Sequence, residues 1–445
     1  MSRLVSWAIV TVSLVRTAGS LQAPADAVDL CGLHKELCDL RSFSGLVPIP
    51  DVGSLFYWYF EAPAASSSSS AKEDEEERPF ILWLQGGPGA SSMLGALFEM
   101  GPVTLDRAST LRRRSDYDTW ASQYSMLFID SPVGTGWSFA DDGGYAKSQE
   151  DVARALAAFL ESFAKLHPEA PKSIVLAGES YGGHYIPALT KYLLESSCPF
   201  KIRAMLVGDG LTDPGVQVLT KPQEAFALGL LDEKQLAVAS EFAKNASELV
   251  AKKEWVQAAT KRYLMEDYVK NASGINLYDV RTTESYAWQD ARMDSFFNTN
   301  TAKDLLHIPH DRIFGTSPMV AENLKADVMQ SQSHSVESVL AHNLPALLYQ
   351  GQFDWKDGVT SNEAWIRAMN WTGRDGYLAA KRKIWRRKSD GQIAGYWRHY
   401  QNLHQVVVLG AGHMVPMNQP KSAFDMLNRF LAEDTIQSAT LPVIV

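Results

Sequence analysis

The sequence predicts an α/β fold: a mostly parallel central sheet, helices on both of its faces, and a mainly helical insertion. Three observations carry this. Short apolar runs alternate with amphipathic segments of helical period. One apolar run leads directly into a glycine-flanked serine turn. The alternation stops at Pro214, gives way to a helical, turn-rich stretch, and resumes after about Leu340. A chain of 445 residues with 46% hydrophobic content has the material for a large buried core. The expected division is a discontinuous core, 21–213 and 341–445, around an insertion at 214–340.

The elements follow in order. Residues 1–20 read as a secretory signal: Arg3 gives a positive start, Leu4–Val15 is mostly apolar, and Ala18-Gly19-Ser20 supplies small residues. That apolar run is too short to span a bilayer, and no later run is long enough. The mature chain is therefore expected in a lumen or outside the cell. An irregular stretch precedes the aromatic strand Leu55–Glu61. Residues 64–79 hold the serine run Ser66–Ser70 and the charged run Lys72–Arg78, with nothing apolar to anchor them, and read as a flexible loop.

Phe80–Leu84 is the next strand, and it runs into Gly86-Gly87-Pro88-Gly89. Ser125–Ile129 is another. Ser148 and Asp151 have capping-box spacing before a helix that puts Val152, Ala155, Leu156, Phe159, Leu160 and Phe163 on one face. Then come the strand Ile174–Ala177, the helix Tyr185–Leu194 and the strand Arg203–Val207, which ends in Gly208-Asp209-Gly210. After the insertion the order is strand Ala346–Tyr349, helix Ser361–Met369, strand Gln405–Leu409 and closing helix Ala423–Leu431.

Composition excludes some functions. A net charge of −9 argues against nucleic acid as a partner, because phosphate binding needs a basic surface. The basic runs Arg112–Arg114 and Lys381–Lys388 read as solvated loop or helix faces. Only 3 cysteines occur, so one stays unpaired within the chain; Cys31 and Cys38 can close a short loop, leaving Cys198. No zinc spacing is present, and no metal or cofactor is expected. Asn245, Asn271 and Asn370 head glycosylation triplets. Such triplets also arise by chance and gain weight only beside the signal.

Gly178-Glu179-Ser180-Tyr181-Gly182 fits the nucleophile elbow, in which a strand turns sharply into a helix and lifts a serine hydroxyl clear. Roughly 0.15 such patterns arise by chance in a chain this long. The strand before it and the helix after it are the context the chemistry requires, and with them the α/β fold becomes an α/β-hydrolase fold. A serine hydroxyl needs a base and an acid, which in this fold follow in the order acid, histidine. His413 sits in a glycine-flanked loop after the strand Gln405–Leu409; His404, before that strand, and His399 are weaker candidates. For the acid, strand position favours Asp354 over Asp357 and Asp209, but order alone excludes neither. The backbone N–H of Tyr181 and the Gly86-Gly87 turn are candidate donors to an oxyanion.

At this point the chain resembles the serine carboxypeptidases, from about Leu40 to Phe430, and within them the vitellogenic-carboxypeptidase-like group. The matching blocks are Trp83–Ser92, Asp130–Ser138, Gly178–Tyr185 and Gly412–Pro416, in the family's order. The resemblance implies Ser180, Asp354 and His413 as the triad and Gly87 and Tyr181 as the oxyanion amides. It implies that Trp83, Gln85, Gly86 and Glu179 grip the substrate's terminal carboxylate, with Glu99 supporting Glu179. It makes 214–340 a cap over the site. Gln85 stands where most members have asparagine, and Ala90 where many have a cysteine bonded to the cap, which implies a less tethered cap. Ser131 replaces an amide residue, and Trp355 and Lys356 replace apolar ones.

The implied activity is release of C-terminal amino acids from peptides through an acyl-serine, favoured at acid pH because Glu179 must be protonated to accept a carboxylate. An acyltransferase, esterase or deamidase on the same triad, or a non-catalytic protective protein of this fold, are the rival readings. The expected partners are peptides with a free C-terminus, with a homodimer left open, and the expected location is secreted or an acidic, lysosome-like lumen.

Overall fold

The computed structural model describes residues 25–63, 78–115 and 119–438. The expected signal at 1–20 and nearly all of the expected 64–79 loop lie outside the described residues. In chain order the strands are β1 (Ser42–Ile49), β2 (Gly53–Phe60), β3 (Phe80–Leu84), β4 (Val103–Leu105), β5 (Leu111–Arg113), β6 (Met126–Ile129), β7 (Phe139–Ala140), β8 (Ser173–Glu179), β9 (Lys201–Gly208), β10 (Ala346–Gly351), β11 (Lys383–Arg386), β12 (Ile393–Tyr400) and β13 (Leu403–Val408). β4 and β5 form a separate ribbon. The others build one sheet in the order β1-β2-β6-β3-β8-β9-β10-β13-β12-β11, with β7 beside β2. From β6 to β13 in that order the strands run parallel; the pairs at both margins are antiparallel.

The parallel centre follows from continuous apolar runs. Every residue of β3 and of β8 is buried, as a strand covered on both faces requires. Successive side chains then serve two cores. Phe80, Leu82 and Leu84 pack with Leu156 and Phe159 of the helix Gln149–Leu166. Ile81 and Trp83 face the other side, with Met426 and Phe430 of the helix Pro420–Ser438. The long helix begins at Ser148, whose hydroxyl caps the Asp151 N–H at 3.2 Å. Between β9 and β10 the chain is helical, from Pro214–Ala227 through Glu233–Ala251 and Trp255–Ser273 to Ser333–Ala341.

Several expectations need correction. The stretch before β2 is not irregular: it holds β1, which pairs with β2 along its whole length. Gly45 and Pro48 obscured it, and both are tolerated because β1 is an edge strand. The run Lys381–Lys388 is neither loop nor helix face but contains β11, the opposite edge, where Lys383, Ile384 and Arg386 are exposed and only Trp385 is buried. Charge on an edge strand discourages pairing with other chains. Arg112 and Arg113 lie in β5 and meet Asp106 and Asp39 at 3.0 and 2.8 Å, so that run forms no free basic patch. His404 does not precede its strand: it lies within β13, buried, stacked 5.0 Å from His399 and accepting the Trp397 indole N–H at 3.1 Å. As expected, Cys31 and Cys38 are disulfide-bonded, and Cys198 is a free, half-buried thiol.

Phe159 links helix and sheet: its ring meets Tyr57 edge-on at 5.7 Å and stacks on Phe163 at 6.0 Å. Phe159→Ala should destabilise the fold by about 3–5 kcal/mol, read as a lower midpoint in urea unfolding with an unchanged slope.

Candidate active site

Ser180 follows β8 directly and takes φ +61°, the left-handed region that a side-chain-bearing residue rarely occupies. The strain is held by close backbone packing. A Cβ on Gly178 would lie 2.7 Å from the Leu84 carbonyl oxygen, and one on Gly86 would lie 2.5 Å from the Tyr181 nitrogen and 2.6 Å from Ser180 Cβ. Only glycine fits at either position. The Ser180 N–H donates to the Gly208 carbonyl at 3.0 Å, and its carbonyl accepts from the Leu211 N–H at 2.9 Å, so the end of β9 also grips the turn. The helix Gly182–Glu195 starts immediately, earlier than the Tyr185 expected from sequence. Its N-terminal end and the Tyr181 amide face the serine, a favourable setting for negative charge.

The histidine and the acid come from neighbouring strand ends. Asp354 follows β10, His413 follows β13, and the His413 Nδ1 lies 2.8 Å from Asp354 Oδ2. Asp354 is held by the N–H groups of Lys356 at 2.7 Å and Asp357 at 3.1 Å. The other ring nitrogen of His413 is buried without a hydrogen-bond partner, and His413 and Ser180 line the same cavity of about 560 Å³. Of the rival acids, Asp357 instead faces the Lys221 ammonium at 3.4 Å and the Arg262 guanidinium at 3.6 Å. Asp209 is buried close to both Asp354 and His413. His399 and His404 belong to the sheet margin and do not line the cavity.

Beside the serine lies a chain of polar groups. The Trp83 indole N–H, a donor only, meets Gln85 Oε1 at 2.9 Å and so turns the amide nitrogen of Gln85 onto Glu179 Oε1, also at 2.9 Å. Gln85, Gly86 and Glu179 line the cavity; Trp83 and Glu99 stand behind them. Glu99 and Glu179 are both buried and interact with each other. Burial holds the Glu99 carboxyl up at about 7. Burial, with the neighbouring Glu99, pushes Glu179 well above the usual carboxylate range. Gly87 and Tyr181 also line the cavity. Asn271 and Asn370 are exposed, whereas Asn245 is half-buried inside a helix.

The opposite wall is built from the insertion, and here sequence reasoning missed residues. The Leu277 carbonyl accepts the N–H groups of Trp355 and Lys356, and the Tyr278 carbonyl accepts that of His413 at 2.7 Å. The Tyr278 ring packs edge-on against the His413 ring, with centroids 5.0 Å apart. Lys356 Nζ meets Glu266 Oε2 at 2.6 Å, Arg262 meets Glu266 at 3.0 Å, and Lys221 donates to the Lys356 carbonyl. Arg262 and Glu266 show the i, i+4 spacing of a solvated helix pair, yet both are buried. Backbone hydrogen bonds and buried ion pairs tie the insertion to the Asp354 and His413 loops. Trp355 and Lys356, atypical by resemblance, take part in that tie.

The fold and the strand-end position of this site are those of an α/β hydrolase. The sequence profile of the serine carboxypeptidases matches residues 32–433. A probable serine carboxypeptidase CPVL of Homo sapiens is 33% identical over 88% of this chain and 83% of its own length. The venom serine carboxypeptidase of Apis mellifera is 31% identical over 89% of this chain and 85% of its own. The crystal structure of KEX1(DELTA)P, a prohormone-processing carboxypeptidase from Saccharomyces cerevisiae, has the same fold, with a TM-score of 0.81 at 24% identity over 93% of this chain and 97% of that one. The chain belongs to the serine carboxypeptidase family and is a hydrolase of that class. Among the described residues no helix is long and apolar enough to cross a membrane.

The glutamate pair has a consequence for stability. Carboxyl groups whose folded pKa is raised keep extra protons in the folded state, so their stabilising effect is complete below the unfolded value and is lost as pH rises through the folded one. The melting temperature should therefore fall between about pH 4.5 and pH 7. Glu99→Gln, neutral throughout, should flatten that decline in a thermal melt series; an unchanged slope would assign it to other groups.

Proposed function

We propose that the protein removes single amino acids from the C-termini of peptides by acyl transfer through Ser180. Ser180 Oγ attacks the last peptide carbonyl while His413 Nε2 takes its proton, and Asp354 holds the imidazole in the tautomer that leaves Nε2 free to accept. The Gly87 and Tyr181 amides stabilise the oxyanion. Collapse breaks the C–N bond, His413 returns its proton to the leaving amine, and water, deprotonated by His413, then hydrolyses the acyl-serine.

One observation carries the exopeptidase reading: a buried carboxyl pair stands beside the nucleophile, in a cavity otherwise suited to a peptide end. An ionised Glu179 would repel a terminal carboxylate. A neutral one donates a hydrogen bond to it, with Gln85 and Gly86 completing the contact and Trp83 and Glu99 acting behind them. The proposed cap, 214–340, excludes chain beyond the terminus by roofing the cavity. The Cys31–Cys38 bond supports an oxidising secretory lumen, and the exposed Asn271 and Asn370 suit glycan attachment there.

Digestion of a peptide library with mass readout should show loss of single C-terminal residues. Ser180→Ala should reduce the rate roughly 10⁴-fold or more. Internal cuts alone, or turnover of esters or amides with no release of residues from free-acid peptides, would move the protein to another hydrolase activity. For one peptide, KM should rise as pH rises through the raised Glu179 pKa, because the ionised form repels substrate. In Glu179→Gln that rise should be absent; an identical pH dependence in both proteins would remove Glu179 from carboxylate binding.

A further inference from the structure

Asp209 has no part in the chemistry above, yet it lies at its centre. It directly follows β9, is fully buried, and takes φ +44° in the left-handed region. Its N–H donates to the Tyr349 carbonyl at 2.8 Å, and its Oδ1 accepts the Gly351 N–H at 2.9 Å. Its Oδ2 is buried without a hydrogen-bond partner. One carboxylate oxygen of Asp209, one of Asp354 and one ring nitrogen of His413 all lie within 4.8 Å of one another.

Two ionised carboxylates this close in a buried site repel strongly, so one of them holds a proton. The hydrogen bonds decide which. Asp354 receives two backbone N–H groups and the His413 ring N–H, all of which stabilise an anion. Asp209 receives the Gly351 N–H alone among the bonds described. Asp209, with the fewer donors, is the carboxyl suited to carry the proton. We propose that Asp209 is a positioning residue whose neutral carboxyl donates a hydrogen bond to Asp354, so that a single negative charge faces His413. This rests on the triad roles proposed above for Ser180, Asp354 and His413.

Burial, and then the charge of Asp354, hold Asp209 well above the usual carboxylate range. The titratable groups that face it are Asp354 after β10, Glu179 at the end of β8, Tyr349 within β10 and His413 after β13. A second anion at 209 would favour a positively charged ring, and a ring that already carries the extra proton cannot take one from Ser180. Neutral Asp209 keeps the base available at low pH while still fixing the acid in place.

The test is kcat and KM for one peptide across pH in wild type, Asp209→Asn, Asp209→Ala and Ser180→Ala, with thermal melts of each. Asp209→Ala should lower kcat about 30-fold, the loss of a hydrogen bond to a charged group, with KM little changed. Asp209→Asn, which still offers an N–H donor, should recover most of that loss. The acid limb of its kcat profile, which reports His413 in the substrate complex, should coincide with that of wild type, because a neutral group replaces a neutral group. A downward shift of that limb by about one unit or more would show that Asp209 is ionised, and would overturn the proposal. So would an Asp209→Ala enzyme with wild-type kcat. If Asp209→Ala does not fold, the Asp209→Asn limb decides alone. An active Ser180→Ala would instead bring down the nucleophile assignment, whatever Asp209 does.

Discussion

The site depends on two stretches of backbone meeting with no side chain between them. Gly86 lies against the Ser180–Tyr181 peptide so closely that even a methyl group would collide with it, and Gly178 meets the end of β3 in the same way. That contact sets the left-handed turn at Ser180, brings Gly86 beside it, and starts the helix Gly182–Glu195 at once. The parallel registers of β3, β8, β9, β10 and β13 extend the same alignment, so Gln85, Ser180, Asp209, Asp354 and His413 all emerge at one sheet edge.

Crowding acids at that edge has an electrostatic cost, and protons relieve it. Glu99 stands with Glu179, and Asp209 with Asp354. Burial favours the neutral form at Glu99, and burial together with like charge favours it at Glu179 and Asp209. Asp354 instead accepts hydrogen bonds from two backbone N–H groups and meets the His413 ring. Where the protons sit is set by the packing of these acids rather than by any one residue.

The strands and helices of the sheet were legible because their apolar runs are long and bounded by glycine. β1 was not, since Gly45 and Pro48 break the pattern, and β11 hid inside a basic run because its only buried residue is Trp385. His404 looked like a loop residue by position, but the strand begins earlier and its ring is part of the core. The serine motif, its strand and its helix were readable locally. The pairing of His413 with Asp354, residues that lie 59 positions apart, was readable only as a preference over Asp357 and Asp209 until resemblance was added.

The sequence by itself determined the alternating elements, the glycines that the serine turn demands, and the short list of candidate acids and histidines after it. These are properties of short segments, governed by steric fit and hydrophobic period. The tertiary structure decided what depends on distant neighbours: that Trp83 orients Gln85 toward Glu179, that a helix pair of ordinary surface spacing is buried to hold Lys356, and that Asp209 sits beside Asp354. Protonation follows burial and the charges nearby, and neither is fixed until the chain has folded.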